Sequence, residues 1–172
     1  QEHVDPGAVK VLVSEVIYKI IEDYDAWKKA QTKAMVSAQL DTVTRPFKLE
    51  LLRGYVFRQS NPAVVGVEVQ AGTVRSNTQV MKKDGKALTS IKSIQLEKET
   101  VEKAEKGKQV AISMPHIIIG RQLNEGDILY SSLTEEEFRK LKEYKETLST
   151  DERETMKEIA EIMRKENPVW GI

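Results

Sequence analysis

The spacing of apolar residues changes period twice along this chain, and each change limits what the chain can fold into. From Glu15 onward Val16, Ile17, Ile20, Ile21, Tyr24 and Trp27 recur at intervals of three and four, which lays one apolar stripe along a helix. From Phe47 the period falls to two, in short β-rich pieces that read FKLELL, GYVF, AVVGVEV, TQVM, SIKSI and QVAIS. After Tyr130 the helical spacing returns. No single-layer helical or all-β fold accommodates both periods. The pattern predicts a mainly β plus α chain: a long helix, a β block, and two C-terminal helices.

Four segments follow. Residues 1–13 read as the tail of a preceding domain, with VKVLV at 9–13 as a short buried strand. Residues 14–46 read as a long connector helix, capped by the side-chain oxygen of Ser14 and free of Gly and Pro until Pro46. Beyond Trp27 its apolar edge thins to KKAQTKAMVSAQLDTV, the composition of a solvated span. At 1.5 Å per residue the helix reaches on the order of 40 Å. Residues 47–130 carry turn signals at NP 61, AGT 71, KDG 83, EKG 105 and NEG 124, spaced as in a closed β-barrel, which also removes exposed strand edges. Residues 131–172 read as a helical pair packed on that barrel. Thr134 with Glu137 and Ser149 with Glu152 stand at capping-box spacing, and Asn167-Pro168 stops the second helix. Phe138, Leu141 and Leu148 form one apolar face, and Met156, Ile159, Ala160 and Met163 the other.

Chemistry is scarce. The 172 residues contain no cysteine and two histidines, His3 and His116, neither in an HExxH or other ligand spacing. There is no GxSxG elbow and no GxxxxGK[ST] phosphate loop. Glu135, Glu136 and Glu137 sit where a helix first turn favours negative charge. The chain is therefore expected to be no enzyme and to bind no metal or nucleotide. No run approaches twenty apolar residues and the start lacks a signal peptide, so a cytoplasmic protein with no membrane partner is expected. The 27 basic and 27 acidic residues cancel, but not evenly along the chain. Residues 47–130 hold thirteen basic against nine acidic groups, and residues 131–172 eight against eleven. A modestly basic middle suits nucleic acid.

Several strings then converge. A strand, the Gly-Thr turn after VEVQA, a second strand, KDGK, SIKSIQ and KAEKGKQVAIS resemble the second-domain barrel of translational GTPases. GYVFRQSNPAVVGVEV, GRQLNEGDILY and the preceding VIYKIIEDYDAW are similar to the C-terminal barrel of translation initiation factor 5B and the helix leading into it, from about Val9 to the end. The resemblance implies a ribosome-dependent GTPase as parent, with GTP and Mg in a domain absent from this sequence. It implies a barrel that receives the methionylated acceptor end of initiator tRNA during subunit joining on the ribosome, and added helices that dock initiation factor 1A. A monomer is expected.

An unpaired 3′ end needs cations for phosphate, a stacking or apolar surface for the base and a pocket for the amino acid. Arg58, Gln59, Ser60 and Asn61, in the polar loop between two strands, and Gly120 and Arg121, opening the GRQ turn, are the candidates. The alternative is that they only shape tight turns, with Arg121 paired to an acid. Gly66 and Gly72 read as a bulge and a turn. Where the family often has smaller or more polar residues before GRQ, this chain has SMPHIII, which implies a more apolar pocket. Phe138, Met163 and Trp170 are the candidate protein-partner residues, against the alternative of core packing. A competing assignment makes the whole chain a protein-interaction module with the barrel as spacer. A third makes the stretch from Glu15 to Val43 a rigid lever.

Overall fold

The computed structural model describes residues 17–40 and 43–172. The expected strand at 9–13, Ser14 and His3 lie outside the described residues. The chain divides into two units, one ending at Gln39 and the other running from Leu40 to Ile172.

The described part of the first unit lies within helix α1, Ile17–Leu40, about 36 Å long at 1.5 Å per residue. Its Tyr18, Ile21 and Tyr24 are exposed, and the Tyr24 and Trp27 rings lie 6.0 Å apart. The sequence pattern carried this helix to Pro46, but residues 43–47 are not helical. Pro46 disfavours helical torsions at Arg45, and the backbone there finds other partners. Thr44 N donates to Glu137 Oε1 at 3.3 Å and Phe47 N to Ser131 Oγ at 3.2 Å.

The second unit holds ten strands and two helices. The strands are β1 (Lys48–Arg58), β2 (Ala63–Ala71), β3 (Thr73–Arg75), β4 (Gln79–Lys82), β5 (Ala87–Ser90), β6 (Ser93–Leu96), β7 (Glu99–Val101), β8 (Lys103–Glu105), β9 (Gln109–Met114) and β10 (Ile128–Ser131). Eight form an antiparallel sheet in the order β5-β4-β10-β1-β2-β9-β6-β7, and β3 pairs β8 in a separate ribbon. The sheet has two hydrogen-bonded ends, yet the chain itself joins strands from both sides. Ile91 N donates to Thr78 O beside β4, and the next residue's N, that of Lys92, donates to Ser113 O in β9. One continuous piece, β5 then β6, therefore reaches both sides of a curled sheet around a core that includes Phe47, Leu49, Leu51, Val65, Val67, Ile94, Ile112 and Leu129. The residues supplying that core alternate along β1 and β2, as a half-buried strand requires.

FKLELL and GYVF are one strand. Leu51 pairs Val67 and Val56 pairs Val65, so β1 advances five residues while β2 advances two, and the segment around Gly54 bulges outward. The turn signals fall where the backbone turns left-handed: Asn61, Gly72, Gly85, Gly107 and Gly126 all have positive φ.

Helix α2 spans Glu135–Glu143, continued by a 3-10 turn at Lys145–Thr147, and α3 spans Thr150–Arg164. Both capping boxes form, with Thr134 and Ser149 accepting from the N–H groups of Glu137 and Glu152 while the glutamates reach back. Each glutamate also holds the lead-in chain. Glu137 binds Thr44 N, and Glu152 Oε2 accepts from Arg45 Nη2 at 3.1 Å. Arg45 Nε lies 2.8 Å from Glu152 Oε1 but out of line for a hydrogen bond. Helix α3 is further tied to the sheet by Glu158, which accepts from Tyr130 Oη at 2.7 Å and from Lys48 Nζ at 2.9 and 3.1 Å. Burial, and then the bond to Glu158 and its charge, push the Tyr130 phenol well above its ordinary range.

Candidate functional site

Both polar loops singled out in the sequence grow from the sheet. The first begins at Arg58, the last residue of β1, and ends at the cis Asn61-Pro62 bond before β2. Asn61 occupies φ 53°, a left-handed conformation that Asn tolerates better than most residues. The second follows β9. Its residues fold back through Gly120 N to Leu123 O at 2.7 Å and through Arg121 N and Gln122 N to Ile118 O. The Gln122 amide stitches this loop from inside, accepting from Ile118 N at 2.7 Å and donating to the His116 carbonyl at 3.3 Å. Lys82 Nζ donates to Gln122 O at 3.0 Å and anchors the loop to β4.

The fold brings the two loops together: Ile119 N donates to Gln59 O at 3.0 Å. Arg58, Gln59, Asn61, Gly120 and Arg121 are exposed around this bond and Ser60 is half-buried. Among the described residues neither Arg58 nor Arg121 makes a side-chain hydrogen bond or ion pair, so Arg121 is not spent on a neighbouring acid. The isoleucines of SMPHIII divide. Ile117 is buried in the core, Ile119 packs against it, and Ile118 stands exposed beside the loops. His116 is exposed at φ 61°.

Sequence reasoning missed two aromatic residues here. Tyr55 and Phe57 are 54% and 65% exposed, with ring centroids 6.5 Å apart at 65°. Val56 between them is partly buried against the core, which sends both neighbours to the opposite face. The available signal was the alternation in GYVF, with its aromatic residues on the outward phase. Gly66 makes this possible: a Cβ there would meet the Tyr55 Cβ at 2.8 Å, so only glycine lets β1 lie this close.

A second feature lies between α2 and α3. A groove of about 410 Å³ has Phe138, Met156 and Ala160 as its apolar floor and Lys142, Lys145, Arg153, Lys157 and Arg164 on its walls, with Glu161 as the single acid. Of the candidate partner residues, Phe138 lines this groove and is itself largely buried. Trp170 is buried against Phe138, with ring centroids 4.6 Å apart, and Arg164 Nε donates to its carbonyl at 2.9 Å. Met163 is half-buried near Gly85 in the turn after β4, outside the groove. Gly66 sits at the bulge and Gly72 in a turn whose N–H donates to Asp151 at 3.2 Å.

Among the described residues no group of three or more His, Cys, Asp or Glu side chains is placed to hold a metal, and no helix is long and apolar enough to cross a membrane. The groups exposed at the two loops and on β1 are cations, amides and aromatic faces.

Residues 45–130, the sheet and the chain leading into it, match the model of elongation factor Tu domain 4. The chain belongs to that family. Its relatives place it within the family as the C-terminal domain type of archaeal initiation factor IF-2, also called aIF5B. It is 42% identical over 172 residues to a probable translation initiation factor IF-2 of Methanosarcina mazei, covering 99% of this chain and 29% of that one. It is 47% identical over 135 residues to the corresponding protein of Methanopyrus kandleri, covering 78% of this chain and 23% of that one. The crystal structure of GDP-bound aIF5B from Aeropyrum pernix matches with a TM-score of 0.77 and 41% identity, over 92% of this chain and 27% of that one. The chain thus spans less than a third of the length of these relatives. Both archaeal relatives are named as probable translation initiation factors.

Proposed function

We propose that the curled sheet, taken as the barrel of a translation factor, receives the methionylated acceptor end of initiator tRNA while ribosomal subunits join, and that the chain performs no catalysis itself. The observation that carries this reading is the bond between Ile119 N and Gln59 O, which gathers Arg58, Gln59, Asn61, Gly120 and Arg121 into one exposed patch with two unpaired guanidiniums. Guanidiniums and loop amides suit a phosphate chain, and the exposed Ile118 suits an apolar amino acid such as methionine. GTP hydrolysis is assigned to the longer protein of which such chains form a part.

The test is titration of this chain with methionylated and deacylated initiator tRNA at two salt concentrations. A preference for the methionylated form is expected, with log affinity falling against log salt at a slope of roughly −1.4 to −2 for two or three phosphates. Charge reversal, Arg58→Glu with Arg121→Glu, should flatten that slope. Equal or absent binding of the two tRNAs by the folded chain removes the acceptor-end reading.

The groove between α2 and α3 favours a second role on the same chain, docking of initiation factor 1A. Five cations around an apolar floor complement an acidic segment that carries an aliphatic anchor. Lys142→Glu with Arg153→Glu should abolish binding of that factor and leave tRNA binding unchanged. If the tRNA response is nil and only this pair has an effect, the chain is a protein-interaction module and the barrel its spacer.

A further inference from the structure

We infer that Tyr55 and Phe57 form a stacking surface for the unpaired RNA bases that precede the terminal nucleotide. This rests on the reading that the neighbouring loops receive a single-stranded RNA end, and it adds a contact indifferent to what that end carries.

Three observations place the surface. First, the rings point away from the core because Val56 faces it, and both are more than half exposed. Second, their positions are built in. The bulge between Leu51 and Val56 lifts this part of β1, Gly54 N is held by Glu125 Oε2 at 3.1 Å, and Gly66 leaves room for the Tyr55 side chain, whose Cβ a side chain at position 66 would meet at 2.8 Å. Third, cations flank the pair along the chain. Arg53 precedes it with its guanidinium beside Gly126, Arg58 follows it, and Arg121 lies on the loop bonded to Gln59. At the bulge the Glu125 carboxylate is engaged by Gly54 N–H.

An RNA strand is the occupant that uses all of this. Every base has a π face, so stacking is sequence-tolerant, and guanidiniums track the phosphates between bases. Rings tilted by 65° cannot act as one flat platform. They offer two differently inclined faces, which suits successive splayed nucleotides better than a continuous stack. An acidic protein partner would be drawn to the arginines alone and would find a better apolar floor in the groove between α2 and α3.

The experiment uses this chain and a single-stranded RNA hexanucleotide with 2-aminopurine at the position before its 3′-terminal nucleotide, whose fluorescence is quenched on stacking, beside methionylated and deacylated initiator tRNA. Phe57→Leu and Tyr55→Leu are expected to weaken hexanucleotide binding about five- to a hundredfold and relieve the quenching, while Phe57→Trp retains both. The salt slope should be unaltered in Phe57→Leu and about 0.7 shallower in Arg58→Gln. Both leucine variants should weaken methionylated and deacylated tRNA by the same factor. If the chain prefers methionylated tRNA but Phe57→Leu moves neither affinity nor quenching, the stacking surface is overturned and the acceptor-end reading stands. If the hexanucleotide binds through the aromatic pair with no methionyl preference, the acceptor-end reading falls and the stacking surface survives. Loss of a protein partner with RNA binding intact in Phe57→Leu would make this face a protein contact and overturn the inference.

Discussion

Replacing Glu152 by Gln separates two tasks that one carboxylate performs. Its side chain is 5% exposed and accepts from Ser149 N at 2.9 Å as the returning arm of the α3 capping box. The same carboxylate binds Arg45, whose side chain is 26% exposed. Gln preserves an acceptor for Ser149 N, so the cap is largely kept. It removes the charge that compensates a guanidinium with one buried nitrogen. Breaking a fully buried pair costs about 3–5 kcal/mol, and a hydrogen bond to a charged group contributes about 1.5–3 kcal/mol. With Arg45 a quarter exposed, water recovers part of the loss, and about 2 kcal/mol of destabilisation is expected. For a unit of this size that is a drop of roughly 6–10 °C in Tm. The assay is urea and thermal unfolding of a double-mutant cycle with Arg45→Met. The cycle should return a coupling of about 1–2 kcal/mol, with the double variant losing less than the two single losses combined. A Glu152→Gln loss below about 0.5 kcal/mol with no coupling would refute the claim that this pair, and not the cap alone, fastens the lead-in chain.

Three further outcomes are expected. Glu97 and Lys98 form the two-residue turn between β6 and β7 at φ 51° and 73°, so Glu97→Asn with Lys98→Gly should stabilise the chain by about 1 kcal/mol in urea unfolding at an unchanged m value. Asp151 is held below the usual carboxylate range, first by the Gly72 N–H and also by Lys106, so its contribution is complete above its unfolded pKa of about 3.9 and is lost as pH falls through the lower folded value. Asp151→Asn should therefore flatten the acid limb of a stability profile below about pH 4 and leave its shape near neutrality unchanged. A Cβ at Gly171, where φ is 67°, would meet Phe138 at 2.6 Å, so Gly171→Ala should cost about 2 kcal/mol and raise Trp170 fluorescence accessibility to a quencher.

The elements legible in the sequence were those whose signal is local. Thr134 with Glu137 and Ser149 with Glu152 announce helix starts because the cap is made within four residues, and the turn motifs do so because their backbone torsions demand Gly or Asn. Strands β7 and β8 lie inside LEKETVEKAEKGK, a run dominated by charged residues. They are short and present only Val101 and Ala104 inward, too few residues to register a period. The polar loops at 58–61 and 120–121 were visible as loops, but their meeting depends on one backbone bond between positions sixty residues apart. The groove was invisible for a different reason. Residues 131–172 count as acidic, yet packing two helices gathers Lys142, Lys145, Arg153, Lys157 and Arg164 around one hollow. A sum of charges along a chain carries no information about how that charge is sorted between faces.

The double duty of the two capping glutamates also sets an order of events during synthesis. Thr44 and Glu137 are 93 positions apart, and Arg45 and Glu152 are 107 apart. At roughly 5–20 residues per second, the lead-in segment leaves the translating ribosome on the order of five to twenty seconds before the carboxylates that hold it are made. Residues 44 and 45 therefore lack these two bonds until α2 and α3 have both been made, whereas Lys48 at the start of β1 already has its partners in β2 and β10. The last helix acts as the clasp of a chain whose first strand has already been laid down.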